Sequence, residues 1–336
     1  MKLGIIPCSN GMGHIARSAK LANILIKNYR IVFFLSKKKI KLILNKKIIV
    51  KKVSENFRLV NNHKYNVNWY KNFNNKNYDN IDLFISDNLP EIVLNKKTVL
   101  IYANFFWHEI FNIQNTFFKN LKKELRKKKV KIISNYLFGN TKISKKKIYS
   151  VGFVGKYKKN VITKKKGILI SLGTSTIGYT DISKNILNII SEKEFLSYEF
   201  YLDKKLLNNK TILTKNIKKA DFSENMFKNI RVAFIKPGFG TIHDCLERGI
   251  PINSYLSSKN KEFIYNAKIL KKIKVGNYFL DFKKGLKNTI DIFNNIRKIK
   301  EINETCKSLR WNGERDIKNI IQKYKKNIND VNLNLN

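Results

Sequence analysis

Cysteine and histidine are both scarce in this sequence. The three cysteines, Cys8, Cys245 and Cys306, lie far apart in the 336 residues and form no CxxC pair. They predict neither a disulfide framework nor a zinc site, and they fit a reducing compartment. The four histidines are dispersed along the chain, so no metal-binding cluster is expected. The sequence therefore predicts a protein without a metal site.

The sequence also lacks a long apolar run without charge. The apolar stretch at the start of the chain is far too short for a signal peptide or a membrane-spanning helix. No other segment reaches spanning length without a charged residue. We therefore expect a cytoplasmic protein, with at most a peripheral position on the inner face of the cytoplasmic membrane.

Acidic residues and arginine are few, while lysine is abundant. The 68 basic and 24 acidic residues give a net charge of 68 − 24 = +44, but only 9 of the basic residues are arginine and 59 are lysine. Recognition of nucleic acid prefers arginine. The basic runs at 37–39, 126–129, 145–147 and 164–166 are scattered and carry no interleaved aromatic residues. We interpret the lysines as solvated surface residues that attract an anionic membrane only weakly, and a nucleic-acid partner is not expected.

Strands alternate with helices along the whole chain, which indicates parallel α/β sheets. Strands are predicted at 2–7, 30–35, 47–53, 81–86, 98–102, 130–134, 149–154, 167–172, 198–202, 231–235 and 250–255, and helices at 14–27, 105–127, 239–248, 261–272 and 314–325. The length fits two domains. We expect a Rossmann-like domain at 1–154, a linker at 155–166, a second Rossmann-like domain at 167–312 and a terminal helix at 313–327 that packs back on the first domain. Since ligands bind at the carboxyl ends of parallel strands, the two doubly wound domains should face each other across a cleft.

Three segments carry residues suited to chemistry. Residues 10–17 follow the first strand and open a helix, where His14 is either a general base or a structural histidine in a dinucleotide-type turn. The GxGxxG pattern is not fulfilled, which disfavours a nicotinamide or flavin cofactor. Asp87 ends a strongly apolar strand, where it either orients His14 or caps the next helix.

The third segment, 236–244, is the most informative. Gly238 and Gly240 allow backbone amides to approach a ligand. Gly240 and Thr241 begin a helix whose dipole favours a diphosphate. Asp244 follows one turn later, on a side from which it would reach a ribose.

Together these segments resemble the GT-B glycosyltransferases, especially the bacterial and archaeal branch with a GxGHxxR opening and a KPGxGTxxE segment. That branch is similar to the N-acetylglucosaminyltransferase of peptidoglycan synthesis and, more distantly, to UDP-glucuronosyl and plant glycosyltransferases. The matching segments are 11–17, 81–87, 103–107, 151–154, 171–174, 236–244, 249–251 and 262–267.

The resemblance implies a metal-independent, inverting transfer of a hexose-type sugar from a nucleotide sugar, with UDP as the default nucleotide, to an acceptor hydroxyl. The acceptor would be a saccharide, a lipid-linked intermediate or a small molecule, as in the synthesis of cell-surface polysaccharide. His14 would be the base, with Asp87 as its partner. The resemblance places Gly11, Gly13, Arg17, Asn104 and Trp107 on the acceptor side, and Gly173, Thr174, Gly238, Gly240, Thr241, Asp244, Glu262 and Asn266 around the donor.

Two positions depart from the family pattern, and two other functions remain open. Asp244 stands where the family has Glu, and Phe263 stands where it has Gln, so the sequence does not assign the donor sugar. A nucleotide-sugar hydrolase of the pseudaminic-acid-pathway type shares the GxGHxxR opening and would use His14 to activate water. A non-catalytic basic binding protein is the third reading, but it would need neither the His14 and Asp87 pair nor the glycines of a diphosphate site.

Overall fold

The computed structural model describes most of the chain. The described residues are 1–10, 12–35, 44–53, 69–74, 80–95, 99–110, 113, 115–128, 130–141, 148–158, 166–172, 183–204, 206–207, 216–256 and 259–333. They divide into two compact units. Unit 1 is Met1–Gly155 with Arg310–Asn336, and unit 2 is Lys156–Leu309. Of the predicted linker, residues 155–158 and 166 are described.

Unit 1 is built on a parallel sheet of seven strands. The strands are β1 (Lys2–Ile6), β2 (Arg30–Leu35), β3 (Ile49–Lys52), β4 (Leu83–Asp87), β5 (Val99–Tyr102), β6 (Lys131–Asn135) and β7 (Ile148–Val151). Their order is β3-β2-β1-β4-β5-β6-β7. Alternate residues of β2 enter different cores: Val32 and Phe34 pack on one face of the sheet, and Ile31 and Phe33 on the other. Burial of both faces explains why the strands read as continuous apolar runs.

Three of the described α-helices of unit 1 lie between these strands in the chain. They are α1 (Met12–Leu25), α2 (Trp107–Ile110) and α3 (Thr116–Lys127), with 3₁₀ helices at Trp69–Asn74 and Pro90–Leu94. The single helix predicted at 105–127 is wrong, because α2 ends at Ile110 and α3 begins at Thr116. Asn115 caps α3: its side chain accepts a hydrogen bond from the Phe118 N–H at 3.0 Å. Asparagine competes for backbone donors in this way, so it starts a new helix rather than continuing the old one.

Unit 2 is built on a second parallel sheet, of six strands. They are β8 (Gly167–Ser171), β9 (Glu199–Leu202), β10 (Ile217–Lys219), β11 (Ile230–Ile235), β12 (Ile252–Tyr255) and β13 (Tyr278–Phe279), in the order β10-β9-β8-β11-β12-β13. The helices are α4 (Ser183–Ile190), α5 (Glu224–Asn229), α6 (Phe239–Leu246), α7 (Lys261–Lys272), α8 (Phe282–Asn294) and α9 (Ile296–Ser308). The predicted architecture of two doubly wound parallel sheets is confirmed.

The last helix, α10 (Gly313–Leu333), belongs to unit 1. Ile317, Ile320 and Ile321 are buried in the same core cluster as β1 and α1 residues. No described helix is long and apolar enough to cross a membrane.

Strand order reverses at one place in each sheet, and these places position the candidate sites. In unit 1 the reversal lies between β1 and β4, which are neighbours although they are distant in sequence. In unit 2 it lies between β8 and β11. Loops that leave two such strands in opposite directions open a crevice at their carboxyl ends, where ligands bind in this class of fold.

Candidate functional site

In unit 1, a histidine and an aspartate meet at the carboxyl ends of β1 and β4. His14 lies in the first turn of α1, directly after β1, and Asp87 is the last residue of β4. The two predicted residues are in contact: His14 Nδ1 lies 2.8 Å from Asp87 Oδ1. The Asp87 side chain is 2% exposed and that of His14 is 14% exposed. The pair therefore has a buried carboxylate and an imidazole that reaches the surface.

Two further residues of α1 hold the same carboxylate. Arg17 contacts both oxygens of Asp87, through Nη2 to Oδ1 and through Nε to Oδ2 at 3.0 Å. Ser18 donates a hydrogen bond to Oδ2 at 3.0 Å. Residues at i, i+3 and i+4 share one face of a helix, which is why His14, Arg17 and Ser18 converge on one carboxylate. Sequence analysis missed Ser18, although this spacing was the signal that could have found it.

The ionisation of Asp87 fixes the proton of His14. Burial alone would raise the pKa of Asp87, but the nearby Arg17 and His14 outweigh burial and lower it to about 2. An ionised carboxylate only accepts hydrogen bonds, so Nδ1 of His14 must carry the proton that faces Oδ1. In neutral His14 the lone pair is then on Nε2. The site therefore turns Nε2 of His14, the basic nitrogen of this tautomer, away from Asp87.

Aromatic side chains border this pair. Trp107, predicted on the acceptor side, has its ring centroid 6.0 Å from that of His14. Phe105 packs edge-on against Trp107 at 5.0 Å. Asn104, also predicted there, is 3% exposed, and its Oδ1 accepts the Asn135 N–H at 2.9 Å. It thus ties the carboxyl ends of β5 and β6 together.

The other residues predicted on the acceptor side are placed as follows. Gly13 is exposed in the first turn of α1. Arg17 is directed at Asp87, and its guanidinium also lies 4.5 Å from the centroid of the Tyr102 ring. Gly11 lies outside the described residues. The role of Arg17 toward an acceptor stays a prediction, whereas its contact with the carboxylate is direct.

Asn88, which sequence analysis did not single out, follows Asp87 in a left-handed backbone conformation with φ of 59°. Its N–H donates to the Tyr102 carbonyl at 3.1 Å, and its side chain is buried. Non-glycine residues with positive φ are uncommon, and asparagine tolerates this region better than most. This turn ends β4 directly after Asp87 and so fixes where the carboxylate points.

His108 lies apart from this pair, in the apolar core. Its ring stacks between Phe106 and Phe118, with centroids 5.6 and 4.8 Å away, and the residue is 2% exposed. Among the described residues, neither ring nitrogen has a hydrogen-bond partner. Burial, and secondarily the charge of Lys122, lower the pKa of His108 to about 4. The histidine is therefore held neutral by its surroundings.

We expect this buried histidine to make unit 1 sensitive to acid. Because its folded pKa of about 4 is below its unfolded value of 6.5, stability should be lost as pH falls from 6.5 toward 4. Between pH 7 and pH 5 the loss should be about 2 kcal/mol. All three tryptophans, Trp69, Trp107 and Trp311, lie in unit 1, so urea unfolding followed by tryptophan fluorescence measures this unit.

His108→Phe is the matched variant for that measurement, because phenylalanine cannot take up a proton. Between pH 7 and pH 5 its free energy of unfolding should fall by about 2 kcal/mol less than that of the wild type. An equal loss in both proteins would show that His108 does not carry the acid sensitivity. Comparing each protein with itself at two pH values removes any pH-independent packing effect of the larger ring.

In unit 2, α6 begins at the carboxyl end of β11 with an open first turn. Its N-cap is Gly238, which supplies no side-chain hydrogen bond, and the first turn contains no acidic residue. Gly240 and Thr241, two of the predicted donor residues, are half-buried in this turn. The first N–H groups of a helix lack intrahelical partners, and the helix dipole adds partial positive charge there. This terminus is therefore suited to an anionic group.

Two side chains from α7 and the end of β11 support this turn. Asn266 is 2% exposed, and its amide donates to the Pro237 carbonyl at 2.9 Å, so it braces the residue before the N-cap. The Lys236 ammonium lies 5.1 Å from the centroid of the Phe263 ring. Phe263 packs with Leu256 and Ala267. Where the family has Gln, this chain thus has a phenylalanine whose ring lies against the Lys236 ammonium.

Glu262 and Asp244 differ in exposure. Glu262 lies in the first turn of α7, where Asn260 caps the helix by accepting the Glu262 N–H at 2.9 Å, and it is 9% exposed. Asp244 is half-buried on α6, and its carbonyl accepts a hydrogen bond from Arg248 at 2.7 Å. Gly173 and Thr174 lie outside the described residues. The strand that leads to them, β8, is anchored by Asp203, which accepts the Leu172 N–H at 2.8 Å.

Sequence analysis missed one grouping on α6. Ligand atoms of His243, Asp244 and Glu247 all lie within 4.8 Å of one another, a spacing compatible with a metal ion. The signal was the i and i+4 positions of His243 and Glu247, which share a helix face. However, Glu247 also lies 3.5 Å from the Lys158 ammonium and 3.4 Å from the Arg248 guanidinium. These cations compete with a metal for the carboxylate.

The fold matches that of solved glycosyltransferases. The chain is similar to the glycotransferase of kitacinnamycin (10% identity, 96% of this chain and 98% of that one, TM-score 0.65). It is also similar to LpCGTa in complex with UDP (9% identity, 96% of this chain and 99% of that one, TM-score 0.66). A third similar structure is that of a UDP-glucosyltransferase from Polygonum tinctorium (11% identity, 96% of this chain and 98% of that one, TM-score 0.63). No protein-family model and no curated protein matches the chain by sequence. At these identities the likeness establishes the fold, which is the predicted GT-B architecture.

Proposed function

We propose that this chain, which has the GT-B fold, transfers a hexose-type sugar from a nucleoside diphosphate sugar, with UDP as the default nucleotide, to an acceptor hydroxyl. The observation that carries the proposal is the His14 and Asp87 contact of 2.8 Å at the strand-order reversal of unit 1. A carboxylate that orients a partly exposed histidine is the arrangement of a general base. Solved structures of the same fold that are described with UDP, or as a UDP-glucosyltransferase, support the choice of nucleotide.

In the proposed reaction, Nε2 of His14 accepts the proton of the acceptor hydroxyl. The freed oxygen attacks the anomeric carbon, and the bond between that carbon and the diphosphate oxygen breaks, so the anomeric configuration inverts. Asp87, with its pKa lowered to about 2, stays ionised throughout and stabilises the imidazolium that forms. Arg17 and Ser18 hold the carboxylate in place. Trp107 and Asn104 would border the acceptor.

On the donor side, the open first turn of α6 would bind the diphosphate. Negative charge develops on this group as it leaves, and N–H groups at a helix terminus stabilise such charge without reorganising. Gly238, Gly240 and Thr241 would line this site with Gly173 and Thr174, while Asp244 would bind the ribose hydroxyls. Glu262 and Asn266 would lie beside the sugar. Dipole and backbone donors would take the place that a metal ion has in other transferases.

Donor turnover tests the proposal. The full chain is incubated with UDP, GDP and dTDP sugars, with and without a panel of saccharide and small-molecule alcohols, and followed by phosphorus and proton NMR. We expect release of one nucleoside diphosphate that is faster with an acceptor, and a product with inverted configuration at the anomeric carbon. Release that is unaffected by any acceptor, with free sugar as the product, would instead indicate a nucleotide-sugar hydrolase.

We expect this turnover to continue without a divalent cation. Excess EDTA should leave the rate unchanged, and His243→Ala should reduce it less than about tenfold, because His243 is not assigned a role in transfer. The effects of EDTA and of His243→Ala together show whether His243, Asp244 and Glu247 bind a metal ion that transfer requires. Activity that disappears in EDTA, returns with Mg²⁺ or Mn²⁺ and is lost in His243→Ala would contradict metal independence and assign the ion to His243, Asp244 and Glu247.

A further inference from the structure

Helix α3 presents a continuous cationic face. Lys119, Lys122, Lys123, Arg126 and Lys127 are all exposed and stand at i, i+3, i+4, i+7 and i+8. This spacing places them on one side of the helix, opposite the buried Phe118, Leu121 and Leu125. The row extends for about 12 Å along the helix. No acidic residue lies in it.

The lysines of this face are not neutralised locally. Lys119, Lys122, Lys123 and Lys127 form no ion pair with any residue of the described part of the chain. Glu124, the acidic residue of α3, lies at the border of the buried side, and its carboxylate lies 3.8 Å from Lys128. Like charges three and four residues apart destabilise a helix. The row thus opposes the formation of the helix that carries it.

Some lysines on other helices are paired with glutamates. Lys283 and Lys287 of α8 lie 2.5 and 3.1 Å from glutamates 192 and 194, respectively. On α9, Lys298 and Lys307 each lie 3.5 Å from a glutamate of the same helix. The row on α3 has no such pair at Lys119, Lys122, Lys123 or Lys127 among the described residues, so these four ammonium groups are open to a counter-charge from outside the chain.

We propose that the exposed face of α3, which we call the α3 basic face, docks unit 1 on an anionic lipid bilayer. A row of ammonium groups is complementary to a flat layer of phosphate headgroups, and each lysine close to such a surface contributes about 1 kcal/mol of attraction, so that four in one row add up. The five positions contain four lysines, one arginine and no aromatic residue, so they offer little for stacking or for base recognition.

Docking through this face would bring residues 104–107, which include the proposed acceptor-side residues Asn104 and Trp107, near the bilayer. The buried side of α3 packs beside that segment, since Phe118 stacks on His108 at 4.8 Å. His108 is next to Trp107, whose ring borders that of His14. The docking proposal does not depend on the proposed reaction, because it rests on charge and exposure alone.

Vesicle co-sedimentation tests the proposal with the full chain and no nucleotide. The wild type should bind phosphatidylcholine vesicles that contain about 30% phosphatidylglycerol, but not pure phosphatidylcholine, and NaCl should release it. In the variant K119Q/K122Q/K123Q/K127Q the partition coefficient should fall at least about 100-fold, since each lysine contributes about fivefold. The replacement of the same four lysines by arginine should retain binding and shows that the fold tolerates changes at these positions.

The matched control is K284Q/K298Q/K300Q/K307Q, which removes four exposed lysines from α8 and α9 of unit 2. This variant loses the same charge, but its vesicle partition coefficient should fall less than about tenfold. Equal losses in the two glutamine variants would overturn the proposal, because net charge rather than the α3 basic face would then drive binding. Binding of single-stranded RNA or heparin, but not of vesicles, that depends on the α3 lysines would assign the face to another polyanion and also overturn it.

Discussion

His14→Ala should lower the rate of sugar transfer by about 10²- to 10⁴-fold, the range over which a general base contributes to catalysis. The variant should stay folded, because Arg17 and Ser18 still donate hydrogen bonds to Asp87. It should also bind the nucleotide as tightly as the wild type, since the proposed nucleotide site belongs to unit 2 and His14 to unit 1. Single-turnover rates at saturating donor measure the effect on the chemical step.

His108→Phe is the matched control, because it removes another histidine from the same unit without touching the site. Its rate at pH 7 should be close to that of the wild type. A His14→Ala protein with normal turnover would remove His14 from the mechanism. Loss of turnover together with loss of nucleotide binding would show instead that the substitution damages the fold or that His14 acts in binding.

Asp87→Ala should have the largest effect on stability. Asp87 is 1% exposed and is the partner of Arg17, so the substitution leaves a partly buried guanidinium without its carboxylate. Breaking such a pair from one side costs about 3–5 kcal/mol. Urea unfolding followed by tryptophan fluorescence measures unit 1, which contains all three tryptophans. Transfer should fall as well, because His14 loses the group that fixes its proton.

The difference in the free energy of unfolding between the wild type and Asp87→Ala should depend on pH in a way that identifies its cause. The pKa of Asp87 in the folded protein is about 2, below its ordinary value of 3.8, so its contribution is present above pH 4 and is lost as pH falls toward 2. The difference between wild type and Asp87→Ala should therefore be constant from pH 5 to 8. Asp82→Ala is the control: Asp82 is exposed and accepts a hydrogen bond from the Lys2 N–H, and its loss should cost under about 1 kcal/mol. Equal costs for the two variants would contradict a structural role for the buried contacts of Asp87.

The sequence was informative where burial or backbone requirements constrain residue choice. Strands that are buried on both faces, such as β2 and β4, read as apolar runs, and their order in the chain predicted the parallel sheets. Asp87 was noticeable because it ends such a run, and His14 because it follows the first strand. Parallel strands place their carboxyl ends at one edge, so proximity of the two residues followed from the fold.

Features that depend on tertiary contacts could not be predicted in the same way. The contacts of Arg17 with Asp87 join residues 70 positions apart, and nothing in the local sequence distinguishes this partner from an acceptor group. The break before α3 depended on whether Asn115 capped a helix or continued one. The short strands β10 and β13, of three and two residues, carry too little periodicity to be recognised. The α3 basic face is not visible as a run of adjacent lysines, because its residues are brought together by helical spacing of three and four positions.

Calorimetric titration of the full chain with UDP, GDP, dTDP and CMP, in EDTA, tests the central claim most directly. The account predicts that one nucleoside diphosphate binds, that His14→Ala retains this affinity, and that Asp244→Ala weakens it at least about tenfold through the loss of ribose hydrogen bonds. Absence of heat with every nucleotide, or an affinity that is unchanged in Asp244→Ala and lost in His14→Ala, would contradict a donor site on α6.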